Sequence, residues 1–264
     1  MTNVQEFPGG RGARRVLVTG ASRGIGRAIA TAFAAHGDRV AVHYGSARAD
    51  AEETMRELAG RGHVMIGGDL ADPEAAHEVV STAVRDLGGI DVLVNNAAVA
   101  PGPDNRHPVA TTTYADWNRA WRRMIDVDLI GAANVTHGVA THLIQRGAPG
   151  SIVNVGSRGA YRGEPDYPAY GAAKAALHAF GQSMAVALAP HGIAVTSVAP
   201  GFISTDRQQA KLDGPEGDAL LGQSPFGRVG TPEEVAAAVL HLSSPEATWS
   251  SGAVLDLNGA SYLR

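Results

Sequence analysis

The stretch Arg15–Gly26, RVLVTGASRGIG, decides how the rest of the chain is read. Arg15–Thr19 is a short apolar run, the pattern of a buried strand. Ile25 to His36 is alanine-rich and closed by Gly37, the pattern of a helix with a glycine stop. Between them, Gly20, Gly24 and Gly26 allow a tight turn, a close approach of backbone to a bound group, and close packing of helix on sheet. A helix opening directly after such a turn presents free N–H groups and the positive end of its dipole, which suits phosphate. Strand, glycine turn and helix in that order form the first unit of a doubly wound α/β sheet.

The same alternation recurs downstream. Arg39–Tyr44, His63–Gly67, Ile90–Val94, Ser151–Gly156, Ile193–Val198 and Ala253–Leu257 read as six further strands. A helix is expected over Asp50–Gly60, with Asp50 and Glu53 as a capping box. Another runs from the N-cap Asp72 and Pro73 to Leu87. A long helix is expected from Tyr114 to Gln145, one over Tyr170–Ala189, and a last one from Thr231 and Pro232 to about Leu242. Short apolar strands alternating with helices imply parallel strands joined by crossovers. No linker divides residues 14–264, so one α/β domain is expected, a seven-stranded parallel sheet with helices on both faces. A flexible tail over residues 1–13 precedes it.

Composition narrows the functions. The chain has 264 residues, 44% hydrophobic and 18% charged, enough for a sizeable core and too apolar for disorder. A net charge of −4 gives no reason to expect nucleic acid or an anionic membrane as partner. The absence of cysteine excludes disulfides, thiolate metal sites and cysteine nucleophiles. The ten histidines lack metal-ligand spacing, so no metal is expected. Neither a membrane-length apolar run nor a signal-like start is visible, and a soluble cytoplasmic protein is the expectation.

Chemistry concentrates in Ser157–Lys174, SRGAYRGEPDYPAYGAAK. Ser157 ends an apolar strand, and Tyr170 and Lys174 sit at i and i+4 of a helix, hence one turn apart on one face. A fixed ammonium beside a phenol favours phenolate and makes the pair a candidate acid/base. The ends of other strands point to the same crevice. After strand two, Tyr44, Ser46 and Arg48 come with no acid before Asp50. Together with Arg23, they are expected to favour a 2′-phosphate and thus NADP(H) over NAD. One charge-assisted hydrogen bond of about 1.5–3 kcal/mol gives roughly 10- to 150-fold preference. Asp69 and Leu70 follow strand three, where Asp69 is placed to accept from an adenine amino group. Asn95, Asn96, Ala97 and Ala98 follow strand four, and the amides need either sheet backbone or a ribose as partner.

Thr-Gly-x-x-x-Gly-x-Gly, Asn-Asn-Ala, Ser157, Tyr170-x-x-x-Lys174 and Pro200-Gly201-x-x-x-Thr205 occur in one order, and the set resembles the short-chain dehydrogenase/reductase family over residues 13–264. The resemblance implies a Rossmann-type sheet, a nicotinamide cofactor and a homotetramer. It implies cofactor contacts from Gly20, Ser22, Arg23 and Ile25, an adenine pocket at Asp69 and Leu70, and a ribose-side Asn96. Ser157 would hold the substrate carbonyl oxygen and Tyr170 would donate the proton. Lys174 would bind the nicotinamide ribose and lower the tyrosine pKa, while Pro200, Gly201, Ile203 and Thr205 would line the nicotinamide end. Fixed donors where charge builds on an alkoxide fit that chemistry.

Three departures stand out. Ala98 replaces a glycine and needs only an ordinary φ, and Ala260 replaces the second glycine after Asn258. Asp128 stands where the family has an asparagine of the proton relay. As an anion near Lys174 it would offset the lysine charge and make Tyr170 ionise at more alkaline pH. The C-terminal third, from Phe226 through Asn258-Gly259 to Tyr262, is similar to 3-oxoacyl-acyl carrier protein reductases. Reduction of a 3-oxoacyl thioester or related ketone is therefore expected, with a sugar, polyol, quinone or polyketide-like ketone as alternatives. A non-catalytic dinucleotide-binding protein is the other class of reading. Ser204–Ser224 is expected to be a polar loop serving as a substrate lid.

Overall fold

The structure is a computed structural model that describes residues 12–215 and 217–264. Residues 1–11 of the expected tail lie outside the described residues. Gly12 and Ala13 are exposed and without regular structure.

Seven parallel strands form one sheet: β1 (Arg15–Val18), β2 (Arg39–Tyr44), β3 (Val64–Gly67), β4 (Val92–Asn95), β5 (Gly150–Val155), β6 (Ile193–Pro200) and β7 (Val254–Leu257). Their order is β3-β2-β1-β4-β5-β6-β7, as the alternation predicts. Residues 16–18 of β1 and all of β4 and β6 are buried, which is why these strands read as unbroken apolar runs. The chain winds outward from β1 in one direction and from β4 in the other. Their C-terminal ends therefore part, and a crevice opens between them.

Helices cover both faces: α1 (Gly24–Ala35), α2 (Arg48–Glu57), α3 (Pro73–Leu87), α4 (Tyr114–Ile125), α5 (Ala132–Arg146), α6 (Gly159–Arg162), α7 (Pro168–Leu188), α8 (Asp206–Leu212), α9 (Gly217–Leu221) and α10 (Pro232–Leu242). One core cluster packs Ile29 and Phe33 of α1 and Val235 and Val239 of α10 on Val16, Val94 and Val198. The other packs Val79 of α3, Val139 of α5 and Leu188 of α7 on Leu17, Leu93 and Ile152. The expected caps on α3 and α10 form: Asp72 accepts from Glu74 N–H, and Thr231 and Glu234 make a reciprocal capping box.

Four expectations need correction. No capping box opens α2, which starts at Arg48 after Ala47. Asp50 falls inside its first turn and its carboxylate lies 3.5 Å from the Arg23 guanidinium. β4 starts at Val92, and Asp91 just before it accepts through its carboxylate from the Arg15 backbone N–H and Nε at 3.0 and 2.7 Å. The long helix is interrupted by a π-helical turn, Asp126–Gly131, between α4 and α5. The segment read as a loop over Ser204–Ser224 contains the short helices α8 and α9.

Candidate active site

The glycine turn is built by contacts that admit no side chain. Gly20 has φ +63°, and a Cβ there would stand 2.7 Å from Ala97 Cα; at Gly26 it would stand 2.2 Å from the Gly20 carbonyl oxygen. Thr19, buried at the end of β1, accepts from Asn96 N–H and Ala97 N–H through Oγ1 at 2.9 and 3.0 Å. Asn96 Nδ2 donates to the Thr19 and Gly20 carbonyls at 2.9 and 3.0 Å. Asn95 Nδ2 donates to Thr136 Oγ1 and Asn154 Oδ1, both at 2.9 Å. The partners of the two amides are thus protein groups, and their task here is to lock the ends of β1, β4 and β5 together.

His43 is a residue that sequence reading missed. It is buried on β2, and Gly20 N–H donates to its Nδ1 at 3.1 Å while Nε2 lies 3.0 Å from the Gly68 carbonyl. Desolvation lowers its pKa to about 4, so the ring is neutral, with its proton on Nε2 donating to Gly68. The signal was present in RVAVHY: a histidine on a strand buried throughout its middle needs two protein partners.

One open cleft runs along the C-terminal edge of the sheet. It gathers Gly20, Ser22, Arg23, Gly24, Ile25 and Gly26 of the turn with Ser46, Asp69, Leu70, Asn96 and Ala97. At its other end stand Ser157, Tyr170, Lys174, Pro200, Gly201, Ile203 and Thr205. Two expected residues lie off its wall. The Tyr44 ring covers Gly67, where an added Cβ would meet it at 2.9 Å, and Arg48 Nε donates to Glu52 at 2.9 Å. Asp69 lines the cleft, but Arg123 Nη1 donates to it at 2.8 Å and holds its carboxyl below the usual range. Arg123 and Arg207, also in the wall, were not singled out from sequence.

At the Ser157 end, β5 delivers the serine and α7 the tyrosine and lysine. Gly159 N–H donates to Ser157 Oγ at 3.0 Å, and this turn begins α6. Lys174 Nζ donates to the Val155 carbonyl at 3.0 Å and lies 5.7 Å from the centre of the Tyr170 ring. Asp128 is delivered by the π-helical turn, fully buried. Its Oδ1 accepts from Val99 N–H at 2.7 Å, and its Oδ2 stands 4.0 Å from Lys174 Nζ without a hydrogen-bond donor. Burial raises the Asp128 carboxyl to about 6 against the opposing pull of Lys174 and the Val99 N–H. Burial also lowers Lys174, which Asp128 opposes. The Tyr170 phenol is pushed up mainly by desolvation; its hydrogen bond with Ser157 pulls it down, and the Asp128 charge pushes it up.

The cleft has features suited to a dinucleotide. At Gly45 no atom lies within 4 Å of where a Cβ would stand, leaving the wall beside Ser46 open. Arg23 is exposed in that wall, which Ser22 and Ser46 also line, with the Asp50 carboxylate 3.5 Å from its guanidinium.

The fold is of the doubly wound class, and comparison with known proteins gives the family. A family model described as Enoyl-(Acyl carrier protein) reductase matches residues 20–259. L-rhamnose 1-dehydrogenase (NAD(P)(+)) of Sphingomonas sp. is 35% identical, over 95% of this chain and 96% of that protein. The 3-oxoacyl-(acyl-carrier-protein) reductase FabG of Vibrio cholerae is also 35% identical, over 94% and 96%. The crystal structure of acetoin dehydrogenase YohF from Salmonella typhimurium superposes with a TM-score of 0.82 at 31% identity, covering 94% and 95%. The chain belongs to the short-chain dehydrogenase/reductase family, whose relatives act on alcohol and carbonyl groups. Among the described residues, no helix is long and apolar enough to cross a membrane.

Proposed function

We propose that this protein is an NADP(H)-dependent reductase that converts a ketone to a secondary alcohol, with a 3-oxoacyl thioester as the favoured substrate class. The observation that carries the reading is the convergence of Ser157, Tyr170 and Lys174 at one end of the cleft whose other end holds the glycine turn and Arg23. A nicotinamide held in the cleft would supply hydride to the carbonyl carbon. Ser157 Oγ holds the carbonyl oxygen, and the Tyr170 phenol gives its proton to that oxygen as negative charge builds there. Lys174, anchored on the Val155 carbonyl, is held to bind the ribose and keep positive charge beside the phenol. Ser22, Arg23 and Ser46 are assigned to the phosphates, with Arg23 selecting the 2′-phosphate. A homotetramer and a cytoplasmic location belong to the same reading.

A second reading, oxidation of a sugar hydroxyl, is supported by the equal identity to the L-rhamnose dehydrogenase. The two are separated by one panel followed at the nicotinamide absorbance. Acetoacetyl thioesters with NADPH are set against L-rhamnose, polyols and simple alcohols with NADP+. Faster turnover of the thioester supports the first reading, and faster turnover of the sugar replaces it with the second.

A further inference from the structure

Beside the cleft lies a second recess of about 270 Å3, walled by the C-terminal end of the lid, the start of α10 and the last strand. It is just below the range of roughly 300–1,000 Å3 for pockets that take drug-sized ligands, which suits a smaller molecule. Its polar floor is Arg158, the residue after Ser157, which is only 8% exposed. The guanidinium donates to Ser261 Oγ at 2.6 Å and to Gln223 Oε1 at 3.0 Å, two neutral acceptors. Among the described residues, no carboxylate oxygen comes within 4.0 Å of it. Arg162 adds to the imbalance by donating to the same Gln223 oxygen at 2.9 Å. Desolvation, and then the Arg162 charge, lower the Arg158 pKa, while Glu164 opposes them from farther away.

The other charges in the wall are matched. Arg228 pairs with Glu234 at 2.6 Å, and Asp256 accepts from Arg264 Nε at 2.9 Å. Arg158 is therefore the one charged residue of the lining without an oppositely charged partner within 4.0 Å, and it is buried. A buried ion without a counter-charge costs far more than one that is paired. The apolar part of the wall comes from Phe202, Leu220, Phe226, Val235 and Leu257. Asp256, also in the lining, keeps its Oδ1 buried without a donor, and its charge disfavours a doubly charged ligand.

We propose that this recess binds a small monocarboxylate with a short apolar tail, its carboxylate on Arg158 and its tail against Phe202, Leu220 and Phe226. The recess adjoins the dinucleotide cleft, with Phe202 and Ile203 as a shared wall, but none of Arg158, Gln223 and Ser261 lines the cleft, and occupancy of the recess does not depend on the reaction proposed above. Bound there, the carboxylate would tie Gln223 at the end of the lid and Ser261 of the C-terminal segment to the backbone of Ser157.

Calorimetric titration of the full chain with butyrate, with and without saturating NADPH, tests this. Butyramide serves as the neutral isostere and inorganic phosphate as the doubly charged probe. The expected result is one saturable butyrate site, unchanged by NADPH, with butyramide inert and phosphate weaker. Arg158→Met should weaken butyrate roughly 10- to 150-fold, the range for a lost charge-assisted hydrogen bond. Arg158→Lys should retain part of the binding. If Arg158→Met does not fold, Leu220→Trp, which fills the recess and leaves the guanidinium in place, should abolish the heat. No saturable butyrate binding, phosphate binding more tightly than butyrate, competition by NADPH, or indifference to these variants overturns the proposal. Absence of NADPH binding alongside intact butyrate binding would count against the proposed reaction and leave this site standing.

Discussion

Asp128 Oδ2 and Lys174 Nζ face each other 4.0 Å apart in the interior, and the carboxylate oxygen has no hydrogen-bond donor of its own. An anion there cancels part of the field that Lys174 casts on the Tyr170 phenol and pushes the phenol toward its protonated form. Ketone reduction needs that protonated phenol, so activity is lost as pH rises through its pKa. Removing the Asp128 charge makes the phenol ionise more readily. In Asp128→Asn the alkaline limb of the reduction profile is expected to move to lower pH, with the acid limb of the reverse oxidation moving the same way. Superimposable pH–rate profiles would contradict this role.

The same carboxyl governs a stability term. Its folded pKa is raised from 3.8 to about 6 by burial, so the folded state holds the proton more tightly than the unfolded chain does. The stability it contributes is fully present below the unfolded value and is lost as pH rises through about 6. A shift of that size corresponds to roughly 1–3 kcal/mol once the coupling to Lys174 is allowed for. Asp128→Asn is expected to raise the melting temperature at pH 8 and to gain little or nothing at pH 4. A gain independent of pH would assign the effect to packing.

The proposed cofactor selection assigns the 2′-phosphate to Arg23 and not to Arg48. Both are exposed and each has a carboxylate partner, Asp50 at 3.5 Å and Glu52 at 2.9 Å, but Arg23 lines the cleft and Arg48 does not. Arg23→Ala is expected to weaken NADPH binding roughly 10- to 150-fold and NADH binding far less. Arg48→Ala is expected to change both by less than about twofold, as for other solvated ion pairs. Fluorescence titration of the two variants with each cofactor checks both values.

Ala260 has φ +58°, the single positive φ among the described non-glycine residues. It follows Gly259 in the segment that closes over Ser224, and its Cβ makes that conformation cost about 1–2 kcal/mol. Glycine removes the cost but loosens the unfolded chain by about 0.4–1 kcal/mol. Ala260→Gly is expected to stabilise the protein by a net of up to about 1.6 kcal/mol, read as a higher melting temperature.

The features legible in the sequence are those written within a few residues. The turn at Gly20–Gly26, the N-caps at Asp72 and Thr231, and the i, i+4 pair of Tyr170 and Lys174 depend on local spacing, and each element stands where that spacing puts it. The ordinary φ expected at Ala98 is also found. The π-helical turn at Asp126–Gly131 escaped because one extra residue in a turn leaves the apolar periodicity on either side nearly unchanged. Arg48 and Tyr44 were placed by their distance from the strand end, but Glu52 and Gly67 decide where their side chains go. Helices α8 and α9 were hidden by the Gly and Pro residues around them, and both are too short to show a period. His43 and Arg158 matter through partners 23 and 103 positions away, which no local pattern reports.

The proposed reduction depends on Tyr170 protonating the carbonyl oxygen while the cofactor is bound in the same cleft. Stopped-flow oxidation of NADPH by the best ketone of the panel, in the wild type and in Tyr170→Phe, tests it most directly. The account predicts a loss of roughly 10^2- to 10^4-fold in the hydride-transfer rate, the range for a missing general acid, with NADPH affinity changed by less than about twofold. A Tyr170→Phe enzyme that oxidises NADPH at close to the wild-type rate would contradict it.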